Sequence, residues 1–248
     1  MHARFYHPAE ITVGQCIELS HENKHHAMRT LRLRKGDSVT LFNGLGGEFL
    51  AHIQVIDNSD VKVLVEKFLG QERESSVVIE LAQAICTNEK MDWIIQKAVE
   101  LGVNRIQPIS TERSIVQLSN ERANKRLVHW EKIIISACEQ SGRNLLPKIF
   151  PLISLSKWLD QKQSAHTDRE MRLMLSPTSE QYLKNITRPP NNDSITLMIG
   201  PEGGFSQTEE LSILQGEYTS IRLGNRILRT ETAGLAIIAA IQTLWGDF

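Results

Sequence analysis

Cysteine is scarce in this chain of 248 residues. Cys16, Cys86 and Cys138 are odd in number, far apart and never arranged as CxxC. They offer no disulfide framework and read as reduced thiols in a cytoplasmic protein. Long apolar runs are missing too. The longest, Ala233 to Ile241 with Gly234 inside it, is far short of the roughly 20 residues that span a bilayer, so no membrane partner is expected. The opening MHARFYHPAE is polar and unlike a secretory leader. Neither sign of charge is in excess: 28 Lys and Arg against 29 Asp and Glu leave a net charge of −1, which alone points to no partner.

What is present is the composition of an ordinary globular protein, 41% hydrophobic and 23% charged. Its length allows one large domain or two modest ones. The charge is unevenly spread. HENKHHAMRTLRLRK, His21 to Lys35, holds Lys24, Arg29, Arg32, Arg34 and Lys35 against Glu22 alone, and Glu112 to Lys148 holds seven Lys and Arg against four Glu. Each cluster suits either a solvated face or a polyanion contact. His21, His25 and His26 lack a carboxylate or Cys at ligand spacing, and Arg29 and Arg32 would repel a cation, so no metal is expected. The spacing of Arg29 and Arg32 suggests one basic helix face for phosphates.

Two textures follow one another. DSVTLFNG, FLAHIQVID and DVKVLVEKFL read as short strands, the last with alternating Val61, Val63 and Val65, and together they suggest a small barrel over residues 1–70. GQERESS reads as a linker, 71–76. From residue 77 to 248 strands alternate with helices, which indicates an α/β domain with a mostly parallel sheet. SVVIELAQAI, RIQPIS, MRLMLS, SITLMIG and YTSIRLG are the strands. NEKMDWIIQKAVELGV is a helix that Asn88 can cap and Gly102 can end, and Arg122 to Gln140 is a second. Ser206 to Glu209 is a capping-box pattern, and Thr230 can cap the last helix. That helix is apolar all round from Ala233 to Ile241, which suits a central core position or a subunit interface equally.

IGPEGGFS, Ile199 to Ser206, raises the sharpest question. Three glycines where a turn needs one mean tight packing or a ligand lying close to bare backbone. The stretch is neither GxGxxG nor a P-loop. LGNRILRTETA, Leu223 to Ala233, repeats its arrangement of strand, glycine, charged loop and helix start, so the two loops could wall one pocket at the carboxyl ends of the strands. Arg226, Arg229 and Glu231 there make either a structural ion pair or site chemistry.

These blocks, with HHAMRTLRLRKGD, LFNGLGGEFLAHI, KMDWIIQKAVELGV, TERS, CEQSGRNLLP and the terminal WGDF, resemble the RsmE family, the 16S rRNA (uracil-N3)-methyltransferases of the SPOUT class. The resemblance runs nearly end to end. It implies a SPOUT-type α/β domain with a trefoil knot, a small N-terminal PUA-like β-barrel that binds RNA, a homodimer, and S-adenosylmethionine held in the knotted loops. Carried over by motif, Ile199, Gly200, Gly203, Leu223, Gly224, Ile227, Leu228 and Arg229 would line the cofactor pocket, with Leu175 as a further member. Arg229, Glu231 and Glu202 are the candidate catalytic residues; either glutamate could accept the substrate proton or only orient the arginine. Arg4, Arg29, Arg32, Lys90, Arg113 and Arg143 are the candidate contacts to 16S rRNA or the small ribosomal subunit. The sequence departs from the family's usual residues at Thr30, at Thr87-Asn88 and at His129. The rival reading is a non-catalytic rRNA-binding assembly factor of the same fold.

Overall fold

Short alternating apolar segments dominate the first seventy residues, and they form strands. The computed structural model describes residues 3–57, 60–115, 120–164, 169–188 and 194–248. Its first strands are β1 (Ala3–Tyr6), β2 (Cys16–Glu18), β3 (Ser38–Phe42), β4 (Glu48–Ile56) and β5 (Val61–Leu69), with the short helix α1 (His21–His25) after β2. They make one five-stranded sheet in the order β1-β3-β4-β5-β2, antiparallel except where β1 meets β3. Because side chains alternate across a strand, Val61, Val63 and Val65 all reach the core, where they join Phe5, Leu41 and Ile53. The Ser20 hydroxyl caps α1 by accepting the Asn23 N–H at 3.2 Å, and a wider turn, His26–Thr30, continues it.

Contacts divide the chain into two units, Met1–Glu74 with Ile135–Leu146, and Ser75–Ile134 with Pro147–Phe248. In the first unit Arg4 and Arg143, expected on phosphates, are paired with protein groups. Both are buried. Arg4 donates to Glu48 at 2.5 Å and to Asn144 Oδ1 at 2.6 Å, while Arg143 grips Glu74 at 3.0 and 2.5 Å. Arg73 donates to the same Glu48 at 3.0 Å. Burial pushes the Glu48 carboxyl up, but hydrogen bonds from Arg73 and Arg4 outweigh that and hold it below the usual range. Both guanidiniums are thus already paired with carboxylates inside the first unit.

The second unit alternates as the sequence predicts. Its elements are β6 (Val78–Ala84), α2 (Asn88–Glu100), β7 (Arg105–Ser110), α3 (Asn120–Ser141), β8 (Lys148–Ile149), β9 (Ile153–Ser154), α4 (Leu155–Ser164), β10 (Glu170–Leu175), β11 (Ser194–Ile199), α5 (Gln207–Gln215), β12 (Thr219–Ile221) and α6 (Thr230–Trp245). The sheet runs β12-β10-β11-β6-β7-β8, with β9 also on β7, and every pairing is parallel. The residues of α3 from Ile135 on belong to the first unit. Two predicted caps move by one residue. Thr87, not Asn88, is the N-cap of α2, and Arg229, not Thr230, is that of α6. Gly102 does follow the end of α2, at φ 89, and a Cβ there would lie 2.6 Å from Gln242 Nε2. That amide donates to Leu101 O at 3.0 Å and so ties α6 to the end of α2. α6 buries Gly234, Ile237, Ile238 and Ile241, leaves Leu235, Ala236, Ala239 and Ala240 half-buried, and exposes Leu244.

Candidate functional site at the strand ends

Parallel strands deliver their carboxyl ends to one side of the sheet, and here three neighbours, β10, β11 and β12, do so together. β11 runs into Gly200-Pro201-Glu202-Gly203-Gly204 before the Ser206 capping box starts α5. In that box Ser206 Oγ accepts the Glu209 N–H at 3.2 Å, and Glu209 accepts the Ser206 N–H at 2.9 Å. The glycines have distinct reasons. Gly204 has φ 68, a conformation side chains resist. A Cβ on Gly203 would sit 3.3 Å from Arg113 Cβ. The Arg113 guanidinium donates to Gly203 O and Phe205 O, both at 3.1 Å, and so braces the turn from outside. A side chain at Gly203 would therefore crowd Arg113 beside the cavity.

β12 leads into the second loop, Arg222 to Arg229. The Tyr182 hydroxyl donates to Asn225 Oδ1 at 2.8 Å, and the Arg222 guanidinium lies 4.3 Å from the Tyr182 ring centre. The two loops are stitched by Thr230, whose hydroxyl donates to Gly200 O at 2.6 Å and accepts from Gln83 Nε2 at 3.1 Å. Gln83 is fully buried on β6. A polar residue inside the run IELAQAI was its signal in the sequence.

Between these loops and the end of β10 lies a cavity of about 480 Å³. Leu175, Ile199, Gly200, Gly203, Leu223, Gly224, Ile227, Leu228 and Arg229, the nine positions carried over by motif, all line it. So do Glu202 and Lys90. Glu231 does not. It lies in the first turn of α6, and its Oε2 is 3.4 Å from Lys90 Nζ. Lys90 Nζ also donates to Glu202 Oε1 at 3.2 Å, and the Thr87 N–H reaches the same oxygen at 3.3 Å. Burial raises the Glu202 pKa, but backbone hydrogen bonds and Lys90 outweigh it and bring the carboxyl below its ordinary value. Lys90 and Arg113, expected on phosphates, are thus both engaged at the turn. Their partners lie 112 and 90 residues away, so no local pattern announced them.

Arg29 and Arg32 remain exposed in the first unit, but they do not share a helix face. Arg29 is in the last helical turn, and Arg32 follows it at φ 51.

The cavity suits S-adenosylmethionine. Its volume falls in the range of small-molecule sites. Leu175, Ile199, Ile221 and Leu228 give apolar walls for a flat ring, and a Cβ on Gly224 would meet no atom within 4 Å, so bare backbone faces open space there. Among the described residues no cluster of His, Cys, Asp and Glu could hold a metal.

Comparison with known proteins agrees. A family model described as an RNA methyltransferase domain matches residues 73–242, and one described as an RNA methyltransferase PUA domain matches residues 19–66. The chain is 36% identical to ribosomal RNA small subunit methyltransferase E of Buchnera aphidicola (subspecies Acyrthosiphon pisum), over 99% of this chain and 94% of that one. It is 40% identical to the Neisseria gonorrhoeae protein of the same name, solved bound to S-adenosylmethionine, with a TM-score of 0.90 over the whole of both chains. A Legionella pneumophila methyltransferase structure with bound SAM aligns at 36% identity and a TM-score of 0.91, again over both whole chains. The chain belongs to the ribosomal RNA small subunit methyltransferase E family.

Proposed function

We propose that this protein transfers a methyl group from S-adenosylmethionine to N3 of a uridine in 16S ribosomal RNA. The observation that carries this reading is the convergence of two sequence-distant glycine loops, with the end of β10, on one cavity. When bound, the cofactor supplies an electrophilic methyl group on a sulfonium. Everything else falls to the chain. The lone pair of neutral uracil is not available at N3, so the N3 proton must leave. If that proton ionises roughly two pKa units above neutrality, forming the imide anion costs about 2.7 kcal/mol at pH 7. Arg229 lines the cavity, and its guanidinium can stabilise that charge. Glu202 is a poor proton acceptor. Lys90 and the Thr87 N–H both hold its Oε1, and backbone hydrogen bonds with Lys90 bring the carboxyl below its ordinary value, which favours the charged form. Glu231 is held by Lys90 away from the lining. Neither carboxylate is therefore assigned as the base. Labelled S-adenosylmethionine and ribosomal RNA from cells lacking the protein test the whole reading: methyl transfer mapped to one uridine N3 supports it. Cofactor or RNA binding with no transfer would leave the assembly factor instead.

Gly224 gives a sharper test of the cavity. Gly224→Leu should weaken S-adenosylmethionine binding at least tenfold by calorimetry with an unchanged melting temperature, because the new side chain meets only open space. Gly203→Val should instead disturb the Arg113 brace and lower stability as well. Unchanged affinity in Gly224→Leu would remove this loop from the site.

The remaining assignments belong to the same proposal. The second unit is a SPOUT domain with a trefoil knot, the first a PUA-like barrel that holds RNA, and the enzyme works in the cytoplasm. Arg29 and Arg32, exposed and basic, contact phosphate. Phosphate contacts release counterions, by about 0.7 in the logarithmic salt slope for each contact on a single strand. Arg29→Ala with Arg32→Ala should therefore flatten the slope of RNA affinity by about 1.4 while cofactor affinity stays the same. An unchanged slope would make them ordinary surface charges. The uncovered apolar face of α6, Leu235, Ala236, Ala239 and Ala240 with exposed Leu244, supports a homodimer through that helix. Sedimentation at micromolar concentration should give twice the chain mass; a monomer would refute it.

A further inference from the structure

Three separate segments meet at one ammonium group. Lys90 stands in the first turn of α2, Glu202 in the glycine turn after β11, and Glu231 in the first turn of α6. Nζ lies 3.2 Å from Glu202 Oε1 and 3.4 Å from Glu231 Oε2. The second contact is an ion pair by distance without hydrogen-bond geometry, and both Glu202 Oε2 and Glu231 Oε2 are buried with no hydrogen-bond partner. Among the described residues, Lys90 is the cation that pairs with either carboxylate. Without it two half-buried carboxylates would repel across the gap between the turn and the helix, and the turn would lose its tie to α6 on this side. On the other side the Thr230 hydroxyl ties the same turn to the same helix through Gly200 O.

We infer that Lys90 is a positioning residue: it clamps the glycine turn to the start of α6 and so fixes the cavity wall against which the cofactor binds. Its charge is spent inside the protein rather than on RNA. The inference rests on the cofactor-site reading above and deepens it. A lysine suits the place because a compact ammonium can sit between two carboxylates, and the three donors of a rotating head need no planar match. With its side chain 29% exposed, Lys90 can be replaced without opening the core.

The test uses Lys90→Met and Lys90→Arg in the full chain. Amide hydrogen exchange of the cofactor-free protein is read first. Lys90→Met should speed exchange at least tenfold in residues 200–206 and at the start of α6, with β6 and β11 unchanged. By calorimetry it should also weaken S-adenosylmethionine binding about tenfold. Lys90→Arg should restore most of both effects, and the salt slope of RNA affinity should match the parent in both variants. Unchanged exchange in residues 200–206 overturns the clamp. So does exchange that rises uniformly across the sheet, which would report global loosening. A slope flattened by about 0.7 with cofactor affinity intact would make Lys90 a phosphate contact. A parent protein that does not bind the cofactor would strike the functional reading, while the exchange arm would still decide the clamp.

Discussion

Arg229→Lys is expected to keep S-adenosylmethionine affinity within about twofold of the parent and to lose about a hundredfold in turnover, the scale seen when one preorganised donor to a developing charge is removed. Arg229 is the N-cap of α6 and lines the cavity, yet its side chain makes no capping hydrogen bond. The sequence left open a structural pair with Glu231, but that carboxylate lies against Lys90 instead. An exposed guanidinium at the wall of a cavity is available to a substrate. Its planar fork can aim two donors at a uracil carbonyl oxygen that shares the imide charge, which leaves the N3 lone pair free to attack and which a single ammonium does less well. Single-turnover rates with RNA saturating separate this from a binding defect. The parent rate should rise with pH through the neutral range, because the ionising group is the substrate's own N3–H. The same rise, displaced downward by the hundredfold loss, is expected of the variant. Turnover at the parent rate would leave Arg229 a loop residue with no part in the chemistry.

How much of this could be read in the sequence depends on how far apart the partners lie. Segments that declare themselves locally were legible. Alternating valines gave β5, an apolar stripe closed by Gly102 gave α2, and Ser206 with Glu209 gave the start of α5. The cavity was legible because glycines and charges cluster where strands end, and the family motifs then placed nine residues that the fold brings together. The cations were not. Arg4, Arg113 and Arg143 look alike as sequence, each a positive side chain in a polar stretch. Glu48 and Asn144, the carbonyls of Gly203 and Phe205, and Glu74 are their partners, and only the folded chain shows which cation meets which acceptor. The crowding that a side chain at Gly203 would meet was hidden on the same ground, since the nearest atom belongs to Arg113.

The strands of the second unit hide the largest such case, and it carries the strongest stability prediction. Glu80 on β6, Glu170 and Arg172 on β10 and Thr196 on β11 read as polar interruptions in apolar runs. Register places Thr196 beside both Glu80 and Arg172. Lys162, from α4, then donates to Glu80 at 2.6 Å, Glu170 at 2.5 Å and Thr196 Oγ1 at 3.2 Å, which uses all three of its protons, and lies 4.8 Å from the Trp158 ring centre. Arg172 holds the other oxygen of Glu170 at 2.8 Å. The side chains of Glu80 and Glu170 are each only 9% exposed. Lys162→Met keeps most of the volume and removes the charge, leaving two buried carboxylates with one arginine. A loss of about 3–5 kcal/mol is expected at pH 7, the usual consequence of breaking a buried ion pair from one side. The sign of its pH dependence follows from Glu170. Burial raises its pKa, but Lys162, Thr196 and Arg172 together hold it below the ordinary value of about 4.5. A depressed folded pKa contributes stability that is present above the unfolded value and lost as pH falls through the folded one. Removing Lys162 removes much of that depression, so the gap between parent and variant should be full above pH 4.5 and narrow below it. Urea denaturation of both proteins at pH 7 and pH 4 measures this. Replacing Glu80 and Glu170 by Gln in the Lys162→Met background should recover part of the loss, because the unpaired charges go with the carboxylates. Equal stability of parent and Lys162→Met at pH 7 would mean that the ammonium contributes nothing net beyond its own desolvation.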